Sequence, residues 1–585
     1  MKKKIVKKCL ALSIIGAMTM GLLACGNSAS DNSGSSQQAT DSTQQESDAA
    51  NTGEEDAGEA NAAVEDVSIY WYSDVTGWGP SGWANGVTSS PLTDAIKEKT
   101  GVSFEIEQPP TDADTKLALM IASNDLPDLI SITNSDVINQ LIDADKVWLM
   151  EEFLQTYDPD SHLLKDFPED VKNAVINKWG AWYSFPSHME SADHRVTYPM
   201  SCDIFEDNVT KGHNSAIMFN KSIMDELGIT AEDVQTESGF YAACEKVKNS
   251  GYTVDGQSVI PVVLHGNLWI SSSLDGIISE TFGVIPVDGE GNYRRREMNP
   301  GYKNALNFVN TLIRNEYLDV NTLTLDENAN LSYVESGRVF CWIGNPAQSN
   351  KLAELNITSF GPILADSGAV PAAGINMLAG TGWIQTFVSK DCKNPEALAK
   401  AISFATSEEG LWLNYYGVEG EDYTLQSDGT MVRTEEGQAR YESEYNSNIW
   451  LWPFNDTDFF WNTTPGPEEG TQEYAYGIAN AAFGKYEDTY LYDSGLLSFV
   501  DTNVIEPSSD LGIKAGQITN YLEGQKAKIV SAATEAEFEQ EYQNMIDTLN
   551  GYDVTAIDEE LNKFLQANYE LYGEKIENPN AAIYD

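Results

Sequence analysis

Histidine is scarce in this chain of 585 residues: five occur, at 162, 188, 194, 213 and 265, and none stands four residues from another. That spacing excludes the HExxH zinc helix. A nucleophile elbow of the glycine-x-serine-x-glycine kind is missing too, as is a phosphate-binding P-loop. Cysteine is sparse: beyond Cys9 and Cys25 there are only Cys202, Cys244, Cys341 and Cys392, without the close spacing of a metal knuckle or redox pair. Four cysteines allow three pairings, and scattered ones in a large chain are expected as buried free thiols. Basic residues are outnumbered, 35 Lys and Arg against 90 Asp and Glu, for a formal net charge of −55. Such a surface repels nucleic acid and anionic lipid, so no nucleic-acid partner is expected. Past the first eight residues, Arg294-Arg295-Arg296 is the only basic run, and it reads as a solvated strand or loop. No internal repeat is found.

What is present begins at the N-terminus. Lys2-Lys3-Lys4-Ile5-Val6-Lys7-Lys8 is a basic stretch, followed by 16 mostly apolar residues from Cys9 to Ala24. This is a secretory signal, and its apolar run is shorter than the roughly 20 residues that span a bilayer. Leu22-Leu23-Ala24-Cys25 resembles the lipobox of bacterial lipoproteins. The resemblance implies a diacylglyceryl group on the Cys25 sulfur, cleavage that leaves Cys25 as the new N-terminus, and a place on the extracellular face of the cell membrane. Loss of the five leader lysines makes the mature chain five charges more negative. From Gly26 to about Asp66 the chain is Ser, Asn, Gln, Gly, Ala, Asp and Glu without an aromatic residue, too polar to fold. A flexible tether of that length reaches roughly 35 Å.

The body that follows is too long for one core and predicts at least two lobes. Val67–Tyr72 reads as a buried first strand, Pro91–Lys99 as a helix stopped by Gly101, and Val102–Ile106 as a second strand. A helix over Thr115–Ser123 and a strand over Leu126–Ile132 complete a βαβαβ order, which predicts right-handed parallel units. One long helical region is expected over Asp136–Tyr157. A second βα set opens near residue 190, with strands at Ala216–Asn220, Ile260–Leu264 and Arg338–Gly344 and helices at Lys221–Leu227, Ser238–Asn249 and Tyr302–Asn315. Asn394-Pro395-Glu396 opens a further helix, and the chain beyond Ile513 is mostly helical.

Several segments, taken in order, resemble the large lipid-anchored solute-binding proteins of bacterial ABC importers, of maltodextrin-binding architecture. They are Lys116–Leu129, the crossing Tyr183-Ser184-Phe185-Pro186, Met218-Phe219-Asn220-Lys221, the return crossing Gly380-Thr381-Gly382-Trp383, and Asn414–Leu425 with its Gly417-Val418-Glu419-Gly420 core. The last is close to a segment of the oligosaccharide-type subgroup. The resemblance covers about residues 67 to 572. It implies a two-lobed α/β fold, class II, each lobe a mainly parallel sheet flanked by helices, with a helical C-terminal region. The implied boundaries are 67–185 for the first lobe, 186–380 for the second, 381–440 for a return to the first, and 441–585 for mostly second lobe and C-terminal helices. Subgroup members often carry a calcium-loop-like insertion. Here Thr253–Ser258 is too poor in carboxylates to offer the six or more oxygens calcium takes, so no metal is expected, and no cofactor.

In such sheets ligands sit outside the carboxyl ends of the strands, and closure of two lobes buries them. A neutral sugar offers C–H faces to aromatic rings and hydroxyls that need polar partners. Tryptophan beside glycine with Asp, Asn, Glu or Gln nearby is therefore the pattern sought. Asp74, Trp78 and Trp83 after the first strand fit it, as do Trp182, Trp383 and the cluster Trp450, Trp452, Phe454, Asp456, Asp458 and Trp461. Asn134, His188, Glu190 and Asn345 are strand-end polar candidates, a position that also suits a helix cap. No residue is expected to be catalytic. The expectation is a monomer that captures an oligosaccharide or other small neutral solute and hands it to ABC permease subunits. Two other readings are a lipid-anchored glycoside hydrolase or lyase, which needs only two nearby acids, and a surface adhesin or sensor accessory.

Overall fold

A computed structural model describes residues 66–584, apart from 76–89, 110–111, 376–378, 442–451, 453, 498–499, 501–503 and 507. The leader, Cys25, most of the tether, Trp78, Trp83 and Trp450 lie outside the described residues. No described helix is long and apolar enough to cross a membrane.

The first sheet has the order β2-β1-β3-β14-β4. It is built from β1 (Val67–Ser73), β2 (Val102–Glu107), β3 (Leu129–Ile132), β4 (Ser184–Pro186) and β14 (Gln385–Val388). The connections follow from local chemistry. Ser90 and Thr93 form a capping box at helix Pro91–Thr100, Pro91 takes its first position, and Gly101 ends it at φ 75° before β2. β1 pairs in parallel with both β2 and β3, as the alternation of strands and helices predicts. β14 runs antiparallel to β3 and β4, because it returns from the far side of the molecule. The expected single helix after β3 is two, Ser135–Asp143 and Met150–Tyr157; Asp145 between them has a φ of 55°, a left-handed turn that interrupts the first. The core beside this sheet is aromatic: Trp71 meets Trp452 edge-on at 5.5 Å and Phe104 at 5.6 Å.

The second sheet, β11-β6-β10-β9, joins β6 (Ala216–Asn220), β9 (Ile260–Leu264), β10 (Val339–Gly344) and β11 (Ile357–Ser359). Every residue of β6 and β10 is buried, which is why these strands read as unbroken apolar runs. β9 and β10 are parallel, while β6 is antiparallel to β10 and β11, so this sheet is mixed rather than mainly parallel. Cys244 and Cys341 are buried in its core, and all four cysteines of the body are free thiols. Two hairpins, β7 (Thr253–Val254) with β8 (Gln257–Ser258) and β15 (Tyr423–Leu425) with β16 (Met431–Arg433), stand apart from the main sheets.

Two small sheets complete the fold. β5 (His188–Ser191) lies between β13 (Ala379–Thr381) and β17 (Asn455–Asp456), so three distant stretches of chain run side by side. β12 (Ala372–Ile375) pairs in parallel with β18 (Tyr490–Asp493). The C-terminal helices Asp510–Val530, Glu535–Gly551 and Val554–Tyr572 pack their apolar faces into the larger core. The reading of the arginine run as solvated is corrected here. Arg295 is only 11% exposed beside Asp558 and Glu297, and Lys526 of the first C-terminal helix reaches Asp275 at 2.7 Å and Glu297 at 2.8 Å. Burial alone would raise the Glu297 pKa, but Lys526, Arg295 and Arg296 hold it well below the usual carboxylate range.

Candidate functional site

Strand β5 decides where the site lies. Side chains alternate along a strand, so His188 and Glu190 face one way and Met189 and Ser191 the other. His188 and Glu190 open into a cavity of about 430 Å³, while Met189 lines a second one, of about 380 Å³, on the opposite face. The larger cavity is bordered by Thr381 and Gly382 at the end of β13, and by Gly374 and Ile375 of β12. Trp461 of helix Thr457–Thr463, with Tyr476 and Asn480 of helix Gln472–Lys485, forms a further wall. Asn208, His213 and Asn214 close it beyond helix Asp203–Lys211.

Close backbone approach shapes the floor. Gly382 donates its N–H to the His188 carbonyl at 2.9 Å. A Cβ at Gly382 would lie 2.4 Å from Ser187 Oγ and 2.7 Å from the His188 nitrogen, so only glycine lets the crossing strands touch here. Trp383 follows at once and is 50% exposed. The Trp461 ring packs on Phe205 at 4.4 Å between centroids, which fixes its orientation.

The lining is polar and, at neutral pH, nearly free of cations. Burial pushes the His188 pKa down to about 4, so its imidazole is neutral. Burial also lowers His213, but Glu280, 2.8 Å away, outweighs it and the net pKa is raised. His213 is thus already paired with Glu280. Burial raises the Glu190 pKa, against the pull of Arg195. Burial, with Glu190, pushes Tyr476 up to about 12, so the phenol stays neutral. Asn480 donates to Asn208 Oδ1 at 2.7 Å, and its own Oδ1 has no hydrogen-bond partner. The wall therefore offers an imidazole, a phenol, amides, hydroxyls and one carboxylate beside an indole.

Of the residues proposed from sequence, the structure brings together His188, Glu190 and Trp461, with Trp383 next to the cavity-lining Gly382. It places others elsewhere. Trp452 is fully buried in the core, and Trp182 packs in the same core on Phe167 at 4.5 Å. Asp74 ends β1 and accepts from the Thr133 N–H at 2.7 Å; burial raises its pKa. Asn134 caps helix Ser135–Asp143 and donates to Asp114 at 2.7 Å. Asn345 caps the turn Pro346–Gln348. Asn208, His213, Asn214, Tyr476 and Asn480 lacked the glycine–tryptophan pattern; only the i, i+4 spacing of Tyr476 and Asn480 could have signalled a shared helical face.

Asp456 belongs to the smaller cavity. It caps helix Thr457–Thr463 through the Phe459 N–H at 3.0 Å and meets His194 Nδ1 at 2.7 Å. Asp458 accepts the Ser191 N–H at 2.6 Å and pairs with Arg195 at 3.4 Å. Ligand atoms of His194, Asp456 and Asp458 lie within 4.8 Å of one another, the grouping among the described residues with the right atoms for a metal ion. Their oxygens already serve the N–H groups of Phe459 and Ser191 and the Arg195 guanidinium, and the group ties β5 to β17.

Two lobes built on separate α/β sheets are thus joined by crossing strands beside a polar cavity. The sequence matches the family described as bacterial extracellular solute-binding protein over residues 84–412, more than half of the chain. The chain belongs to that family. Among curated proteins no match is found. Solved structures share the fold at low identity. An HMO-binding ABC-transporter-associated solute-binding protein from Bifidobacterium longum infantis has 14% identity and a TM-score of 0.62, covering 87% of this chain and 100% of that one. The Streptococcus pneumoniae ABC-transporter substrate-binding protein FusA, in complex with kestose, has 16% identity and a TM-score of 0.61 over 86% and 100% of the two chains. The alginate-binding protein AlgQ2 has 12% identity and a TM-score of 0.52 over 86% and 98%. At such identities the likeness establishes the fold.

Proposed function

We propose that this protein captures an oligosaccharide in the larger cavity by lobe closure and delivers it intact to an ABC permease. The observation that carries the reading is the cavity itself. Its volume of about 430 Å³ falls in the ~300–1,000 Å³ range of small-molecule sites. Its wall pairs an indole with neutral donors and acceptors, the combination that C–H faces and hydroxyls require. The HMO-binding and kestose-bound neighbours support a sugar ligand; the alginate-binding neighbour indicates that the fold alone does not decide its charge. Glu190, His188, Trp461, Asn480 and Trp383 are the proposed ligand contacts, with Trp78 and Trp83 kept as proposals from sequence.

The remaining parts of the reading are proposals of the same kind. Cys25 carries the lipid that holds the protein at the outer face of the membrane, and the body acts as a monomer. The lobe boundaries near 185 and 380 accord with the sheets, since β1 to β4 and β14 form one and β6 and β9 to β11 the other, and the boundary at 440 is a proposal from the sequence. Binding without chemistry is favoured by the single carboxylate in the cavity's described lining, since glycoside hydrolysis requires a pair. Titration calorimetry of the mature chain with oligosaccharides tests the reading when product chromatography accompanies it. Saturable binding with the sugar recovered unchanged is expected, and turnover would replace the proposal with the hydrolase reading.

A further inference from the structure

The larger cavity is built without a cation that could receive an acidic sugar. Its described lining contains no Lys or Arg. The internal segments outside the described residues contain none either, so no basic side chain can come from them. His188 is held neutral by burial, and the His213 ring is engaged by Glu280 at 2.8 Å. Arg195, whose charge reaches Glu190, is engaged by Asp458 at 3.4 Å.

Glu190 itself is the unusual group. It lies on the cavity face of β5, and among the described residues no side chain or amide hydrogen-bonds its carboxylate. Glu190 is partly buried there, and a carboxylate partly shielded from water without partners is a group that a ligand can complete. The neighbours that could oppose it are acidic as well: Asp456 and Asp458 lie on the adjoining strand β17 and the helix after it. Burial raises the Glu190 pKa, and hydroxyl or ammonium donors from a ligand would offset that cost to the ionised form.

We propose that Glu190 selects the charge of the bound sugar: it accepts hydroxyl or ammonium donors from an uncharged or amino-bearing glycan, and it repels uronate- or sialate-bearing ones. The selection is electrostatic. Two ionised carboxylates brought to hydrogen-bond distance repel, and the described lining holds no Lys or Arg to bridge them. A hydroxyl donor there satisfies the carboxylate instead, and an amine adds its charge. This rests on the sugar-binding reading and names the chemical class within it.

The test uses the mature chain and three sets of probes. Malto-, xylo- and fructo-oligosaccharides are the neutral set, chitosan oligosaccharides the amine-bearing set, and oligogalacturonates with sialyllactose the acidic set. Binding is expected in the neutral or amine-bearing sets, and at least a hundredfold weaker in the acidic set. Glu190→Gln, which keeps shape and removes charge, should shrink that gap at least tenfold and weaken amine-bearing probes relative to neutral ones. Glu190→Gln should also melt close to the wild-type temperature, which guards against loss of folding. An acidic probe that binds wild type as tightly as its neutral counterpart overturns the inference while sugar binding stands. Failure of every probe to bind overturns the sugar-binding reading, and the inference falls with it.

Discussion

Gly382 shows how much of the site rests on one missing side chain. A methyl group there meets Ser187 and His188 at 2.4 to 2.7 Å, so Gly382→Ala must push β13 away from β5. Overpacking of this kind costs about 1–3 kcal/mol, and the melting temperature and the affinity for sugar should fall together. A calorimetric titration beside a melting curve checks both. Trp383 makes the contrasting case, because its half-exposed ring carries little of the core. Trp383→Ala should weaken a bound sugar about tenfold, ~1.4 kcal/mol, with the fold intact. An unchanged affinity would remove Trp383 from the site, and Trp148→Ala, outside the cavity lining, is the control. Residue identities at the site were partly legible. Glu190 and His188 were legible only as strand-end polar residues, on a par with Asn134 and Asn345, whereas Tyr476 and Asn480 sit on a helix whose cavity face no local pattern distinguishes. Trp452 misled because a tryptophan among acids marks a core as readily as a binding surface.

At the scale of elements, the crossing sheet is held by ionisable pairs, and its stability depends on pH. Burial, and then the charge of Asp456, pushes Asp458 up to about 7. Burial lowers His194, but Asp456, Asp458 and Asp170 outweigh it and the net pKa is raised. Both groups hold protons in the folded state that the unfolded chain would release. Their stabilisation is therefore present in acid, lost for Asp458 as pH rises from about 4 to 7, and lost for His194 as pH rises beyond about 6.5. Asp458→Asn should flatten the melting temperature as a function of pH between about 4 and 7, and an unchanged slope would contradict the assignment. The C-terminal helices are docked by a second charged cluster. Lys526 is 5% exposed between Asp275 and Glu297, and Lys526→Met leaves both acids short of a partner. Loss of about 3–5 kcal/mol in denaturant unfolding is expected. Elements were legible where burial is two-sided, as in β6, β9 and β10, whose apolar runs need no partner to be seen. The crossing strands β5, β13 and β17, each two to four residues long, carry no period of their own and become strands only by meeting one another. The arginine run was misread for the same reason: its acidic partners come from Asp275, Asp558 and Glu297, of which two are distant in sequence.

The whole molecule joins these scales through β5, one strand with a cavity on each face and a crossing partner on each edge. The two-lobed architecture was legible because motif order along the chain survives even where each motif is weak. The antiparallel return strand β14 was not, since a chain that leaves a sheet and comes back leaves no local trace of its direction. The family match and the cavity together make reversible capture the function that the geometry serves. Capture by this route requires that a bound sugar favour the closed arrangement of the lobes through contacts it makes in that arrangement alone. Small-angle X-ray scattering of the mature chain, with and without a saturating oligosaccharide, measures this directly. A smaller radius of gyration with ligand, reversed when the sugar is dialysed away, is the predicted result; identical profiles at proven saturation would contradict the account.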